Sequence, residues 1–474
     1  MGRPSAAPHS DGKLPVMLTP RRAIVATALV IGAWFAFVPP AGLTGREGAT
    51  IAAVLLTLSL WSTAVVPGYV ASLLLFAVAL MAKLAPPALV FSGFASSAVW
   101  LIVSGFVIGS AIAATGLGDR LAAVLAPLVT GSHARLIGGL MTASMLLGFV
   151  MPSSVGRAVV MVPIAMALAE RCGLARGTPG RTGVAAIVAI GCNMPSFAIL
   201  PSNIPNMVLA GAAETIWGVH FGYTEYLLLH FPILGILKAI IAVVLVLWLF
   251  PAKIATVAPA AGPATGAADS RRTRVVGILL ATLVLWMTDT IHGIDPAWVG
   301  LGTAVVLLMP GVGVVDPQRF RTTVDFGLIL FVAGALALGA IVNASGLGTM
   351  LGHALERVMP LAPGRDFVDF VSLSFIACVT GVFTTVPSAP AVLTPLAREF
   401  ADLSGFGLAD VLMIQVIGFS TILLPFQVGP LVVAMQLSEE RIDSLVRILL
   451  PLAAITFVLL VPLDFLWWRL LGRF

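Results

Sequence analysis

The sequence predicts an all-α polytopic membrane protein of about 11 transmembrane helices, with two re-entrant hairpins in an inverted-topology repeat. Three observations lead there. First, the 474 residues are 59% hydrophobic and 10% charged, with a mean hydropathy of +1.07, far too apolar for a soluble domain of this length. Second, apolar runs of roughly 17–25 residues recur from end to end, and none alternates with the period of two that a barrel strand needs. Third, two of these runs are interrupted at matching places, LGFVMPSSVGRAVVMVP (147–163) and TTVPSAP (384–390). Backbone that leaves the helical ladder at bilayer depth is tolerated only inside protein or beside a polar cavity.

In chain order, residues 1–20 form a polar tail without the apolar core or small-residue site of a cleaved signal. The first half, 21–250, opens with spans near 22–39, 48–65, 68–85 and 95–114. A polar hinge with His133 and Arg135 leads into a hairpin, 136–169, whose two arms flank the break at 152–157 and are each too short to cross comfortably. The next stretch, 182–213, is long enough to cross but is punctured by Asn193, Pro195, Pro201, Asn203, Pro205 and Asn206, so it reads as a helix unwound near its middle. A span near 227–250 closes this half. An Ala-, Pro- and Gly-rich segment, 251–273, reads as a cytoplasmic linker.

The second half, 274–474, repeats the plan. Spans lie near 274–290, 296–311 and 326–344, followed by a hairpin 367–401, an unwound helix 408–436 broken at 425–430, and a last span near 445–467. IGSAIAATGLG (108–118) lies over LGAIVNASGLG (338–348) at an offset of 230; Pro163 and Pro395 are 232 apart, and Pro205 and Pro430 are 225 apart. Landmarks at nearly one offset argue for a duplicated unit. Five crossings plus a hairpin per unit would make the two units face opposite ways, with the site at the midplane. With the N-terminus cytoplasmic, 17 Lys and Arg fall on that side and 7 on the other, in accord with the positive-inside rule for the cell inner membrane.

Other chemistry is excluded or unmarked. The +5 charge is spread over short loops without interleaved aromatics, so nucleic acid is not an expected partner. Cys172, Cys192 and Cys378 have no ligand spacing, and no cofactor or metal motif is present. No P-loop argues for ATP-driven pumping. The six histidines lie away from the breaks, which leaves an intramembrane hydrolase without a base. Lys238 is expected to snorkel toward an interface, Trp467 and Trp468 to join an interfacial belt, and His292 with Asp289 and Asp295 to form a solvated turn.

From about residue 45 onward the chain resembles the divalent anion:sodium symporter family of the ion transporter superfamily. The resemblance rests on residues 91–118, MPSSVGRAVVMVPIA (151–165), SNIPNMVLAG (202–211), HGIDPAWVGL (292–301) and LFVAGALALGAIVNASGLG (330–348). It implies a homodimer that carries di- and tricarboxylates or sulfate by an elevator-like motion of a transport domain against a scaffold. It also implies Ser-Asn-Thr motifs at both hairpin tips. These fall on Ser153, Ser154 and Val155, and on Thr385, Val386 and Pro387, so neither tip keeps its asparagine. The unwound helices depart too, with Asn203, Ile204, Pro205 and Asn206 in the first and Val428, Gly429, Pro430 and Leu431 in the second.

The expected substrate residues are therefore Ser153, Ser154, Arg157, Asn203, Pro205, Thr385, Ser388, Gln427 and Gly429, with Ser153, Ser154, Ser202 and Thr385 as candidate cation ligands. Arg157 can offer a bidentate fork to a carboxylate or sulfate, a fixed charge in place of bound sodium; the alternative is a pairing with a carbonyl or lipid phosphate. Asn203, Asn206 and Gln427 can either bind substrate or cap freed helix ends. The expected activity is secondary transport of small divalent anions, carboxylates before sulfate, with Na+, H+ or anion exchange open as the driving arrangement. The alternative is another oxyanion permease or a cation/proton antiporter of the same superfamily; no Asp or Glu is evident near either break, which favours exchange or facilitated flux and argues against the antiporter.

Overall fold

The structure, a computed structural model, describes residues 19–40, 42–117, 131–254, 270–347, 350 and 361–474. Most of the tail and linker expected at 1–20 and 251–273 lies outside these residues. The described residues form helices and connecting turns, with no strand among them.

The first half runs α1 (Pro20–Phe37), α2 (Gly45–Thr63), α3 (Gly68–Met81) and α4 (Ser97–Ala114). It continues with α5 (His133–Val150), α6 (Ser154–Arg171), α7 (Pro179–Asn193), α8 (Ile204–Trp217) and α9 (Tyr223–Leu249). The second half runs α10 (Ser270–Met287), α11 (Pro296–Leu308), α12 (Phe326–Ala344) and α13 (Asp366–Thr384). Then follow α14 (Val386–Ser404), α15 (Leu408–Phe419), α16 (Gly429–Leu437) and α17 (Ile442–Leu470). Helix order repeats from α2–α9 to α10–α17. Seven described helices are long and apolar enough to cross a membrane. Others fall short for local reasons: α3 and α11 have only 14 and 13 residues, and α10 begins with three arginines, Arg271, Arg272 and Arg274.

Local chemistry starts and stops these helices. Thr44 and Glu47 form a reciprocal capping box on α2, and Ser132, Asp295 and Asp325 cap α5, α11 and α12. Close crossings are made at small residues. A Cβ on Gly334 of α12 would lie 2.3 Å from Ser72 Oγ of α3, and one on Gly418 of α15 would lie 2.4 Å from Ser374 O of α13.

Buried apolar side chains separate into two clusters. One is built from α5–α7, α9 and α13–α17, the other from α2–α4 and α10–α12. Helix α8 serves both, with Leu209 and Ala213 in the first cluster and Met207, Val208 and Ala212 in the second, and Met151, Ile199, Tyr223 of α9 and Ala391 of α14 also lie in the second. Both hairpins and both unwound helices thus belong mainly to one body. Helix α1 packs on α2 and leaves Val30, Trp34 and Phe37 exposed.

Two sequence expectations are corrected here. Lys238 does not snorkel: it is 2% exposed and donates to Ser420 O at 3.0 Å. Trp468 does not belong to an interfacial belt: it is fully buried against Phe370 and Phe474, because the chain's last residues fold back over it.

Candidate functional site

Proline sets the geometry at the first tip. The residue before a proline is driven out of the helical region, and Met151 takes φ −123°, ψ 98° before Pro152, ending α5. Ser153 then restarts the chain as α6 by accepting from Gly156 N at 3.0 Å. In the first unwound helix, α7 ends at Asn193, two short 3₁₀ turns follow (Pro195–Ala198 and Leu200–Ser202), and Asn203 caps α8, with Pro205 in its first turn. In the second half the chain leaves α13 at Thr385, with φ 80° and ψ 150°. Helix α15 ends at Phe419, and α16 begins at Gly429 behind the turn Pro425–Gln427.

These four restarts meet at one narrow cleft of about 90 Å³, closed on its far side by helices of the second body. Its floor is Ser153, Ser154 and Val155 from the first tip, Asn203 and Pro205 from the first break, Pro387 from the second tip, and Val428–Pro430 from the second break. Every one of these residues stands at or next to a helix N-terminus, that of α6, α8, α14 or α16. Ile102, Gly105 and Phe106 of α4 and Leu328 of α12 form the opposite wall. Four helix N-termini turn the positive ends of their dipoles toward one space, an arrangement for an anion, although Ser153 and Asn203 already cap two of them and Pro205, Pro387 and Pro430 bring no N–H.

Of the residues expected from sequence, Ser153, Ser154, Asn203, Pro205 and Gly429 line this cleft. Thr385, Ser388 and Gln427 sit next to it in sequence but not on its wall; Thr385 and Ser388 pair through their hydroxyls at 3.2 Å. Arg157 and Ser202 lie directly behind it.

Arg157 is fully buried, and its hydrogen bonds are all made within the protein. Nε donates to Cys192 O at 2.9 Å, and one terminal nitrogen donates to Ser202 Oγ at 3.0 Å and to Met151 O. The other donates to Ser154 Oγ at 2.9 Å and Ser202 O at 3.3 Å. Five N–H donors therefore meet five neutral acceptors drawn from the first tip, the end of α7 and the first break. The guanidinium is a staple whose charge no described carboxylate neutralises, and Ser154 carries its influence to the cleft wall.

The amides act on freed helix ends. Asn203 Oδ1 accepts from Ile204 N at 3.0 Å, and Asn206 Nδ2 donates to Ser196 O and Ile199 O, both at 3.0 Å. Gln427 Oε1 accepts from Leu423 N and Leu424 N at 2.9 and 2.7 Å. They meet the backbone demands of an unwound segment buried in protein.

A buried carboxylate does stand behind the second break, contrary to the sequence expectation. Asp464 of α17 is fully buried and interacts electrostatically with Lys238, which itself reaches Ser420 O. The signal was in the sequence, an acid inside the apolar run 456–468, but nothing in the one-dimensional pattern ties residue 464 to residues 238 and 420.

Two other polar regions lack the character of an anion site. A broad basin contains Arg176, Arg181, Arg441 and Arg447; the first three pair with Glu439, Glu170 and Asp443 at 2.6, 3.1 and 2.6 Å, and Arg447 lies over the Phe250 ring. Around His292, Asp295 caps α11 and His292 Nδ1 accepts from Ile294 N at 3.0 Å. No group of His, Cys, Asp and Glu suited to a metal occurs among the described residues.

Comparison with known proteins agrees with this architecture. A family model described as "Citrate transporter" matches residues 54–423. A "Membrane protein" of Cupriavidus necator is 23% identical over 393 residues, 80% of this chain and 76% of that one. The "L-tartrate/succinate antiporter" of Escherichia coli K12 is 24% identical over 364 residues, 72% of each chain. Among solved structures, the Alcanivorax borkumensis YdaH transporter superposes with a TM-score of 0.53 at 18% identity, over 81% of this chain and 87% of that one, a likeness of fold.

Proposed function

Because this chain belongs to the citrate transporter family, and so is a secondary transporter of organic anions, we propose that its cargo is small di- and tricarboxylates, taken ahead of sulfate. The observation that carries this reading is the convergence of four helix N-termini on one cleft, with the unneutralised Arg157 behind Ser154. A dicarboxylate can span from the Ser153–Ser154 tip to the start of α16, its two ends each receiving N–H groups. In this reading Arg157 acts through its field and through Ser154 and does not touch the cargo. The relative of Escherichia coli, by its name, handles tartrate and succinate, which supports the same cargo class.

The proposal extends to motion and energy. The two apolar cores, one holding most of both tips and both breaks, with Met151 and Ile199 reaching into the other, support an elevator-type movement of that body along the other. Eleven crossings, two re-entrant hairpins and an inverted repeat, as in the divalent anion:sodium symporters, fit the repeated helix order, with the N-terminus in the cytoplasm. A permanent guanidinium at the first break supports transport that needs no sodium.

Proteoliposome uptake of labelled succinate, tartrate, citrate and sulfate, with sodium present or replaced by choline, tests the reading. Saturable carboxylate uptake that is the same in both salts is expected. Strict sodium dependence would remove the fixed-charge reading, and uptake of none of the four would remove the cargo class.

A further inference from the structure

The two unwound helices share a feature that their sequences do not. Where α7 ends, the carbonyl of Cys192 receives Arg157 Nε at 2.9 Å; where α15 ends, the carbonyl of Ser420 receives Lys238 Nζ at 3.0 Å. Helices α7 and α15 are counterparts in the repeat, and in each the C-terminal carbonyl at the break accepts from a buried cation. The cations come from unrelated elements, Arg157 from the first tip and Lys238 from α9, so the likeness is one of chemistry and not of duplicated residues. A half-helix C-terminus inside a membrane protein presents free carbonyls and the negative end of a dipole, the setting in which transporters place a cation.

Lys238 is held there by a built environment. It is 2% exposed, and the charged or titratable groups that reach it electrostatically are Cys378 of α13 and Asp464 of α17. Cys378 Sγ donates to the next carbonyl of the break, Thr421 O, at 3.3 Å. Asp464 is fully buried and makes no close hydrogen bond or ion pair among the described residues, so the Lys238 charge, beyond contact distance, and the neighbouring Trp468 indole are the compensation its surroundings offer. Other ionisable groups on the packed helices face elsewhere: His230 lies between Tyr226 and Trp468, and Glu225 and Asp410 pair with Arg473. Both helices that supply the pair contain a π-helical segment, Phe231–Leu237 directly before Lys238 and Thr456–Leu460 shortly before Asp464. Such segments are rare and concentrate at functional sites.

We propose that the Lys238 ammonium is a tethered cation occupying a monovalent-cation site at the second break, with Asp464 as its counter-ion, and that vacating it opens that site to a free alkali cation. This rests on the transport reading above and deepens it: the carrier runs without sodium because both half-helix C-termini already hold a cation of the chain's own.

The test uses full-length protein in proteoliposomes, with labelled succinate uptake measured in sodium, potassium and choline media. Lys238→Gln, one atom shorter, keeps an N–H donor but removes the charge; Lys238→Arg keeps the charge. The expected result is that Lys238→Arg resembles the unaltered protein in all three media. Lys238→Gln should fall roughly tenfold or more in choline, the equivalent of about 1.4 kcal/mol, and recover most of its rate in sodium or potassium. Lys238→Gln that matches the unaltered protein in choline overturns the proposal, and so does monodisperse Lys238→Gln that no cation restores. Should Lys238→Gln not fold, Asp464→Asn in the presence of Lys238 serves, read by thermal unfolding in detergent. It is expected to leave the midpoint insensitive to sodium, because the tethered ammonium still fills the site, and a sodium-dependent rise would overturn the proposal. If the unaltered protein moves no carboxylate at all, the transport reading itself fails, an outcome distinct from every arm above.

Discussion

At the scale of single residues, the first break depends on arginine's shape as much as on its charge. A lysine has three donors on one atom and cannot reach Cys192 O, Met151 O, Ser154 and both oxygens of Ser202 together. Arg157→Lys is therefore expected to lose stability, by about 1–3 kcal/mol for each buried acceptor left unpaired, while keeping the field at the cleft. Arg157→Met should lose both, so its KM for succinate rises further than that of Arg157→Lys. Denaturation midpoints in detergent and uptake kinetics separate the two effects. Thr385 makes a second case. A β-branched residue at φ 80°, ψ 150° sits in backbone space that suits glycine, at a cost of about 1–3 kcal/mol. Thr385→Gly should raise the unfolding midpoint and slow uptake, because a relaxed tip holds Pro387 less firmly against the cleft.

At the scale of elements, hairpin and unwound helix are locked where small residues let backbones touch. Gly418 of α15 lies so near α13 that a Cβ there would stand 2.3 Å from Ala377 Cβ and 2.7 Å from Cys378 N. Gly418→Val has no flexible neighbour to displace, so the expected result is loss of monodisperse protein on size exclusion, whereas Gly429→Ala, with open space around it, should purify normally. This scale also shows what the sequence reveals and why. Pro152, Pro195, Pro205 and Pro430 announce both breaks, because proline removes a donor and constrains its predecessor wherever it occurs. The lining role of Ser153, Ser154, Asn203 and Gly429 follows from those breaks. The partners of Lys238 do not, since residues 238, 420 and 464 meet only through the packing of three helices, and a lysine in an apolar run reads equally well as a snorkelling one. Arg157 is visible as a buried charge, but the direction of its fork depends on where the end of α7 lies in space.

At the scale of the whole molecule, the cleft has one wall from each apolar core, so relative movement of the two bodies must carry the first tip past α4. Gly105 of α4 faces Pro152 so closely that a Cβ on Gly105 would lie 3.0 Å from Pro152 Cβ. The natural cysteines Cys172, Cys192 and Cys378 are free and buried, and Gly105 and Pro152 are buried too, so what favours a new pair here is its contact distance, and the oxidant must be small and membrane-permeant. The double variant Gly105→Cys, Pro152→Cys should cross-link under mild oxidation, with its Cβ atoms near the range a disulfide accepts after a small backbone adjustment. Were the bodies to slide, the bridge would pin them, and succinate uptake should stop on oxidation and return with reductant. A carrier whose cargo passes between two bodies that stay in register at this contact would keep its uptake when bridged. The reduced double variant supplies the reference rate, so any effect of losing Pro152 itself is already contained in the comparison, and the oxidised-to-reduced ratio reports on motion alone.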